Sequence, residues 1–183
     1  ILSTTDRIAK IVSGLRTFAR VGDTDPLDTV PVSQIVKEST ALYLSKLIDN
    51  GVRVEIAEIP EDLLLECRST QISQVLLNLF SNSFDAIAEK EDKWIRLECE
   101  SDGEILCIRL VDSGDRIPDE IAEKLMQPFF TTKEVGKGTG LGLSVSAGII
   151  RGHGGTFLFD RNAVNTTFVI KIPLKQIIAK KKE

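Results

Sequence analysis

Several things are scarce in this chain, and each shortage narrows its function. It has one histidine, His153, and three cysteines, Cys67, Cys99 and Cys107, with no CxxC pair. One cysteine is left over however they pair, so neither a zinc site nor a disulfide framework is indicated, and a reducing compartment is expected. The sole methionine is Met126 and the chain starts at Ile1. Together with the lone histidine, this leads us to expect a piece of a longer protein. No stretch approaches the roughly 18–20 apolar residues that span a bilayer, and no charged-then-apolar leader is present. The expected location is cytoplasmic, with a membrane anchor in the parent protein left open. An excess of positive charge is also lacking: 23 Lys and Arg face 27 Asp and Glu, a net charge of −4. The bulk field therefore gives no reason to expect nucleic acid or an anionic membrane as partner. Any anionic ligand must be held by local geometry.

What is present is enough for a real core: 183 residues, 42% hydrophobic. Residues 1–20 carry two seven-residue tracks, Ile1, Ile8, Leu15 and Thr4, Ile11, Phe18, the mark of an amphipathic helix that needs a partner. The domain reading is a bundle helix over residues 1–21, a linker over 22–27 around Gly22 to Pro26, a main domain over 28–176 and a basic tail over 177–183. Within the main domain, periodicity predicts a helix over 31–50 closed by Gly51 and short strands around Val52 to Ile56 and Leu63 to Leu65. A helix over 70–90 follows, N-capped by Ser69. Strands over 94–100 and 104–112 meet at an Asp102-Gly103 turn. Helices over 119–126 and 141–151 and strands near 156–159 and 166–172 complete the pattern. Mixed elements with an antiparallel hairpin favour an α+β fold, a two-layer α/β sandwich, over a doubly wound parallel sheet.

Three segments carry chemistry. Gly136-Lys137-Gly138-Thr139-Gly140-Leu141-Gly142-Leu143 leads alternating glycines into an apolar helix. Backbone N–H groups there can approach an oxyanion, and the helix N-terminus adds partial positive charge, so the segment is built as a phosphate cradle. No Lys-Ser/Thr pair follows the last glycine, so it is not a P-loop. Asn78, Asn82 and Asp85 stand at i, i+4 and i+7 on one helix face, opposite Leu76, Leu77, Leu79, Phe80 and Ile87. Asn is a mediocre helix former, and a side-chain carbonyl for a hard cation such as Mg²⁺ is one reason to place it there. Asp112-Ser113-Gly114 puts a carboxylate at a strand end, where it can accept an exocyclic amine while Gly114 lets a ring come close.

In chain order, Asn78 to Asp85, Asp112 to Gly114, Gln127-Pro128-Phe129-Phe130-Thr131-Thr132-Lys133 and Gly136 to Gly142 resemble the asparagine, first glycine, phenylalanine and second glycine boxes of the ATP-binding catalytic domain of sensor histidine kinases. That family belongs to the superfamily of gyrase, mismatch-repair and heat-shock chaperone ATPases. His153-Gly154-Gly155-Thr156-Phe157 and Thr166-Thr167-Phe168 look like its later motifs, and residues 1–20 resemble the end of its dimerisation and phosphoacceptor hairpin.

The resemblance implies a Bergerat-type sheet, mixed but mostly antiparallel, with helices on one face. It implies ATP and Mg²⁺ as cofactors: Asn82 on the metal, Asn78 supporting it, and Asp112 on adenine beside Gly114, with Thr167 reaching the base through water. Lys133 and Asp85 would lie near the phosphates, under backbone from Gly136, Gly138, Thr139, Gly140, Leu141, Gly142 and Leu143. The implied partners are the protein's own phosphoacceptor domain, absent here, a response-regulator receiver domain and a second copy in a homodimer.

Three positions depart from the family. Arg116 replaces a glycine, and a φ > 0 there would cost about 1 kcal/mol. Asp85 replaces a basic phosphate contact, and Asn165 replaces a glycine. The superfamily's hydrolases carry a glutamate where this chain has Asn78, and an amide cannot act as general base. Transfer to an upstream histidine is therefore favoured over hydrolysis. The chain has no phosphoacceptor of its own and is not expected to label itself, His153 being read as structural. The alternatives are a degenerate docking module and an anti-sigma-type serine kinase.

Overall fold

The computed structural model describes residues 26–134 and 138–176, apart from the side chain of Leu42. The expected helix of residues 1–21, most of the linker, Gly136 and the basic tail lie outside the described residues.

Among the described residues are seven strands and four helices: β1 (Asp28–Pro31), α1 (Val32–Asp49), β2 (Arg53–Ile56), β3 (Leu64–Cys67), α2 (Ser69–Ala86), β4 (Trp94–Ser101), β5 (Ile105–Asp115), α3 (Asp119–Ala122), α4 (Gly142–Gly152), β6 (Thr156–Phe159) and β7 (Asn165–Pro173). Five strands form one sheet in the order β2-β4-β5-β7-β6, and β1 pairs with β3 in a small second sheet. Only the β2–β4 pairing in the large sheet is parallel. This is the two-layer α+β arrangement expected, with a mostly antiparallel sheet.

Alternation along the strands explains the layers. Ile95, Leu97 and Cys99 of β4 are buried, as are Leu106, Ile108 and Leu110 of β5 and Phe168, Ile170 and Ile172 of β7. They join Ile35 and Leu47 of α1, the Ile72, Leu76, Leu79 and Phe80 stripe of α2, and Val145 and Ile149 of α4 in one core. Fully burying a side chain such as Phe80 stabilises the fold by about 2–3 kcal/mol. The other sheet face is charged: Arg96 pairs with Glu55 at 2.9 Å, and Arg109 lies 3.8 Å from Glu98. Being exposed, these pairs contribute little individually. Burial pushes the Cys67 and Cys99 thiols up to about 12, leaving them unreactive packing groups.

Local expectations and structure differ at three helix ends. Ser69 does not cap α2; Arg68 is the extended N-cap residue, without a side-chain cap bond. The cause lies across the core, where the Arg68 N–H donates to His153 Nε2 at 3.1 Å and its carbonyl accepts from Gln71 and Ile72. A long-range contact thus starts the helix one residue early. The same helix stops at Ala86 rather than near Lys90, with Ile87 as the C-cap residue. The short helix α3 ends at Ala122, four residues before Met126, and continues as turns.

His153 is fully buried, and its Nδ1 lies 2.8 Å from the Ile149 carbonyl. Nδ1–H therefore donates to Ile149 while Nε2 accepts from Arg68, which fixes one neutral tautomer. Burial lowers its pKa, with the Arg68 charge adding to the effect. A depressed imidazole pKa contributes stability above its ordinary value that is lost as pH falls through the folded-state value. His153→Ala should destabilise the domain by about 2–3 kcal/mol at pH 7.5. In urea unfolding followed by circular dichroism, that gap should narrow as pH is lowered to 5.

Candidate functional site

The buried track of β5 does not stop at Leu110. Asp112 and Gly114 occupy its next two inward positions, so the alternation that builds the core also delivers a carboxylate to the helix side of the sheet. Here the β5–β7 ladder is broken. Val111 pairs with Thr167 and Asp115 with Asn165, so four steps on β5 face two on β7. The bulge takes residues 112–114 out of the β5–β7 ladder, and Asp112 and Gly114 line a cleft of about 630 Å³.

Asp112 is 1% exposed. Its Oδ2 accepts from Ser83 Oγ at 2.6 Å and its Oδ1 from the Gly114 N–H at 2.8 Å. Burial raises its pKa, and these two donors only partly oppose that. Gly114 is obligatory here because a Cβ would stand 2.6 Å from Asp112 Oδ1. Ile117, Ile121, Leu125 and Phe168 add apolar walls beside the carboxylate. A polar acceptor between such walls suits a flat heterocycle bearing an amine.

The other end of the cleft is polar. Asn78, Asn82 and Asp85 of α2 all line it, as the spacing predicts. Asn78 Nδ2 donates to Ser146 Oγ at 2.9 Å, tying α2 to α4. Lys133 Nζ lies 3.3 Å from Asn82 Oδ1 and 2.5 Å from Asp85 Oδ2. Opposite, Gly138, Thr139, Gly140, Gly142 and Leu143 bring the start of α4 to the cleft. The first-turn N–H groups of a helix have no intrahelical acceptor, so this end suits an anion. The segment leading there is clasped at its base, where the Phe129 N–H donates to the Gly140 carbonyl at 2.9 Å. Phe129 (φ 68°) is the sole non-glycine with positive φ among the described residues, and Gly140 (φ 67°) packs against its backbone.

Thr167 and the side chain of Leu141 do not line the cleft. Thr167 faces away from the cleft with its partner Val111, and its hydroxyl donates to the Asn165 carbonyl. The threonine that lines the cleft is Thr166, whose Oγ1 donates to the Asp115 carbonyl at 2.8 Å. A one-residue shift on a strand exchanges faces, and the inward series Phe168, Ile170, Ile172 points back to Thr166. Leu141 is buried in the core, and its N–H donates to Thr139 Oγ1 at 3.3 Å.

Arg116 has no positive φ, so the expected strain does not arise; its guanidinium pairs with Asp119 at 3.0 Å. Asn165 turns its side chain to the Gly114 carbonyl at 3.3 Å, a contact that nothing in the sequence announces. Ser83, also missed, was findable as a hydroxyl on the apolar stripe four residues after Leu79.

Comparison with known proteins agrees with this geometry. Residues 67–176 match the family described as histidine kinase-, DNA gyrase B- and HSP90-like ATPase. The chain belongs to that family, as a catalytic ATP-binding domain of the sensor histidine kinase type. The C4-dicarboxylate transport sensor protein DctB of Rhizobium meliloti is 30% identical over 92% of the chain, which spans 27% of that relative's length. The nucleotide-free catalytic domain of histidine kinase ThkA superposes with a TM-score of 0.73 at 32% identity, covering 81% of this chain and 95% of that one. ThkA in complex with response regulator protein TrrA superposes with a TM-score of 0.78 at 27% identity over 93% of this chain and 48% of that one.

A carboxylate with a raised folded-state pKa contributes stability that is full below its unfolded value and lost as pH rises through the folded one. Asp112→Asn should therefore be at least as stable as the parent at pH 7. Its advantage in thermal unfolding should shrink on acidification to pH 4.

Proposed function

We propose that this chain binds Mg-ATP in the cleft and positions the γ-phosphoryl group for transfer to a histidine on a separate phosphoacceptor segment, for relay to a response-regulator aspartate. The observation that carries this reading is the two-ended cleft: a buried carboxylate between apolar walls at one end, and Asn82, Lys133 and the start of α4 at the other. Adenine would donate its amine to Asp112, against Gly114 and near Thr166. The triphosphate would run toward the N–H groups of α4 and Lys133.

The donor set fits a hard divalent ion, since Asn82 Oδ1 is a carbonyl oxygen that already accepts from an ammonium group. Asn82 would hold Mg²⁺, which when bound supplies charge neutralisation along the phosphates. The chain's own residues do the rest by positioning, the main requirement of phosphoryl transfer. Asn78, braced on Ser146, offers an amide where a water-activating carboxylate would be needed, which favours transfer over hydrolysis.

Residues 1–21 are read as the end of a dimerisation helix, and 28–176 as the catalytic unit. A receiver domain is the natural downstream partner, in keeping with the ThkA complex, and a homodimer of the whole protein is part of the same reading. No described helix is long and apolar enough to cross a membrane. We place the working site in the cytoplasm of a parent that carries its sensor elsewhere.

Calorimetric titration of Mg-ATP into the chain should show binding, and Asp112→Ala should weaken it about 30-fold or more, as for a site that loses a buried hydrogen-bond partner. Thr166→Val should weaken binding severalfold while Thr167→Val leaves it nearly unchanged. No heat at millimolar ATP would sink this reading. Incubation with labelled ATP should leave the chain unphosphorylated, because both His153 nitrogens are engaged in the core; acid-labile phosphate there in a mass spectrum would contradict it.

A further inference from the structure

The phosphate end of the cleft contains a charge that an anion-binding site does not need. Asp85, three residues after Asn82 on α2, faces the cleft with its carboxylate 2.5 Å from Lys133 Nζ. The same ammonium lies 3.3 Å from Asn82 Oδ1, so one cation sits between a carboxylate and an amide carbonyl. The lysine is held there from its other side too: Gly138 packs over its stem so closely that a Cβ would stand 3.3 Å from Lys133 Cδ. The Lys133 N–H donates to Thr131 Oγ1 at 3.2 Å.

This arrangement has a consequence for any triphosphate that enters. Among the described residues, the other two cations lining the cleft are already paired, Lys90 with Asp115 at 2.6 Å and Arg116 with Asp119 at 3.0 Å. A bare triphosphate that draws Lys133 from Asp85 then faces that carboxylate without the counter-charge it has among the described residues. Like charges at short range repel, with a strength that the 42% exposure of Asp85 moderates. A divalent cation reverses the sign of the effect, because Asn82 Oδ1 and Asp85 Oδ2 are hard oxygen donors already gathered about one positive charge. Lys133 is then free to turn to the phosphates.

We propose that Asp85 makes occupation of this cleft by a nucleoside triphosphate conditional on a divalent cation, with Lys133 standing in for that cation when the nucleotide is absent. The inference rests on the nucleotide-binding reading above. Metal and nucleotide then favour one another reciprocally, as any two coupled ligands must.

The test is calorimetric titration of ATP into the whole chain, once with excess Mg²⁺ and once with EDTA, for the wild type and Asp85→Asn. Wild type should bind far more tightly with Mg²⁺. In Asp85→Asn the ratio of the two affinities should fall about tenfold, within the usual range for coupled sites, chiefly through tighter metal-free binding. An unchanged ratio in a variant that still binds ATP overturns the inference alone, whereas a wild type that binds no ATP with Mg²⁺ overturns the nucleotide reading with it. An independent arm uses Mn²⁺ without nucleotide, counting free ion by electron paramagnetic resonance. Lys133→Met should take up Mn²⁺ measurably better than wild type, and the double variant with Asp85→Asn should lose that gain. Equal uptake by wild type and Lys133→Met counts against the proposal.

Discussion

A carboxyl group buried among hydrocarbon has to be satisfied by something, and at Asp112 no lysine or arginine among the described residues does it. The carboxylate is held by a hydroxyl from α2 and a backbone N–H from its own turn. Both donors exist only because other parts of the fold are where they are. Ser83 arrives because α2 lays its apolar stripe on the sheet, and the Gly114 N–H turns inward because β5 bulges against β7. Thr166 and Asn165 then hold the carbonyls of Asp115 and Gly114, so consecutive side chains of one strand brace the turn of its neighbour. Satisfying one carboxyl group ties a helix, a bulge and a strand end together, and that joint forms the deep end of the cleft. Having no cationic partner also leaves both oxygens facing donors that a polar ligand can supplement or replace.

His153 performs a related service at the opposite side of α2. By taking the Arg68 N–H it sets where that helix begins. The phase of α2 in turn decides that Asn78, Asn82 and Asp85 share the cleft while Leu76, Leu79 and Phe80 share the core. One imidazole at the end of α4 thus anchors the start of a helix whose apolar stripe, packed in the core, sets the azimuth of those three polar side chains. Asn78 closes the circuit by bonding back to Ser146 of α4.

How much of this was legible in the sequence depended on the range of the interaction. Elements governed by their own periodicity appeared within a residue or two: α1 closed by Gly51, the β4–β5 hairpin about Asp102-Gly103, and β6. So did the polar face of α2, because i, i+4 and i+7 belong to one helix. Errors arose where a partner distant in sequence decides. Ser69 looks like a cap until His153 is seen holding Arg68. Thr166 and Thr167 are chemically the same, and only the strand register separates them. Arg116 suggested strain because a glycine was expected there, yet the chain passes that point without a positive φ. The Asn165 contact to Gly114 spans 51 residues and has no local signature.

The clasp between Phe129 and Gly140 bears on how this architecture varies. A backbone hydrogen bond joins the two ends of the segment at its base, and Phe129 holds a left-handed conformation that costs about 1 kcal/mol there. The clasp therefore fixes both ends of the segment, whose described residues Phe130 to Lys133, Gly138 and Thr139 line the cleft. Each doubling of such a loop adds only about 0.6 kcal/mol of closure entropy. A change of length between Lys133 and Gly138 would therefore cost little in closure while leaving Asn82, Asp112 and the start of α4 in place, whereas one that displaces Lys133 or Gly138 would remove part of the cleft itself.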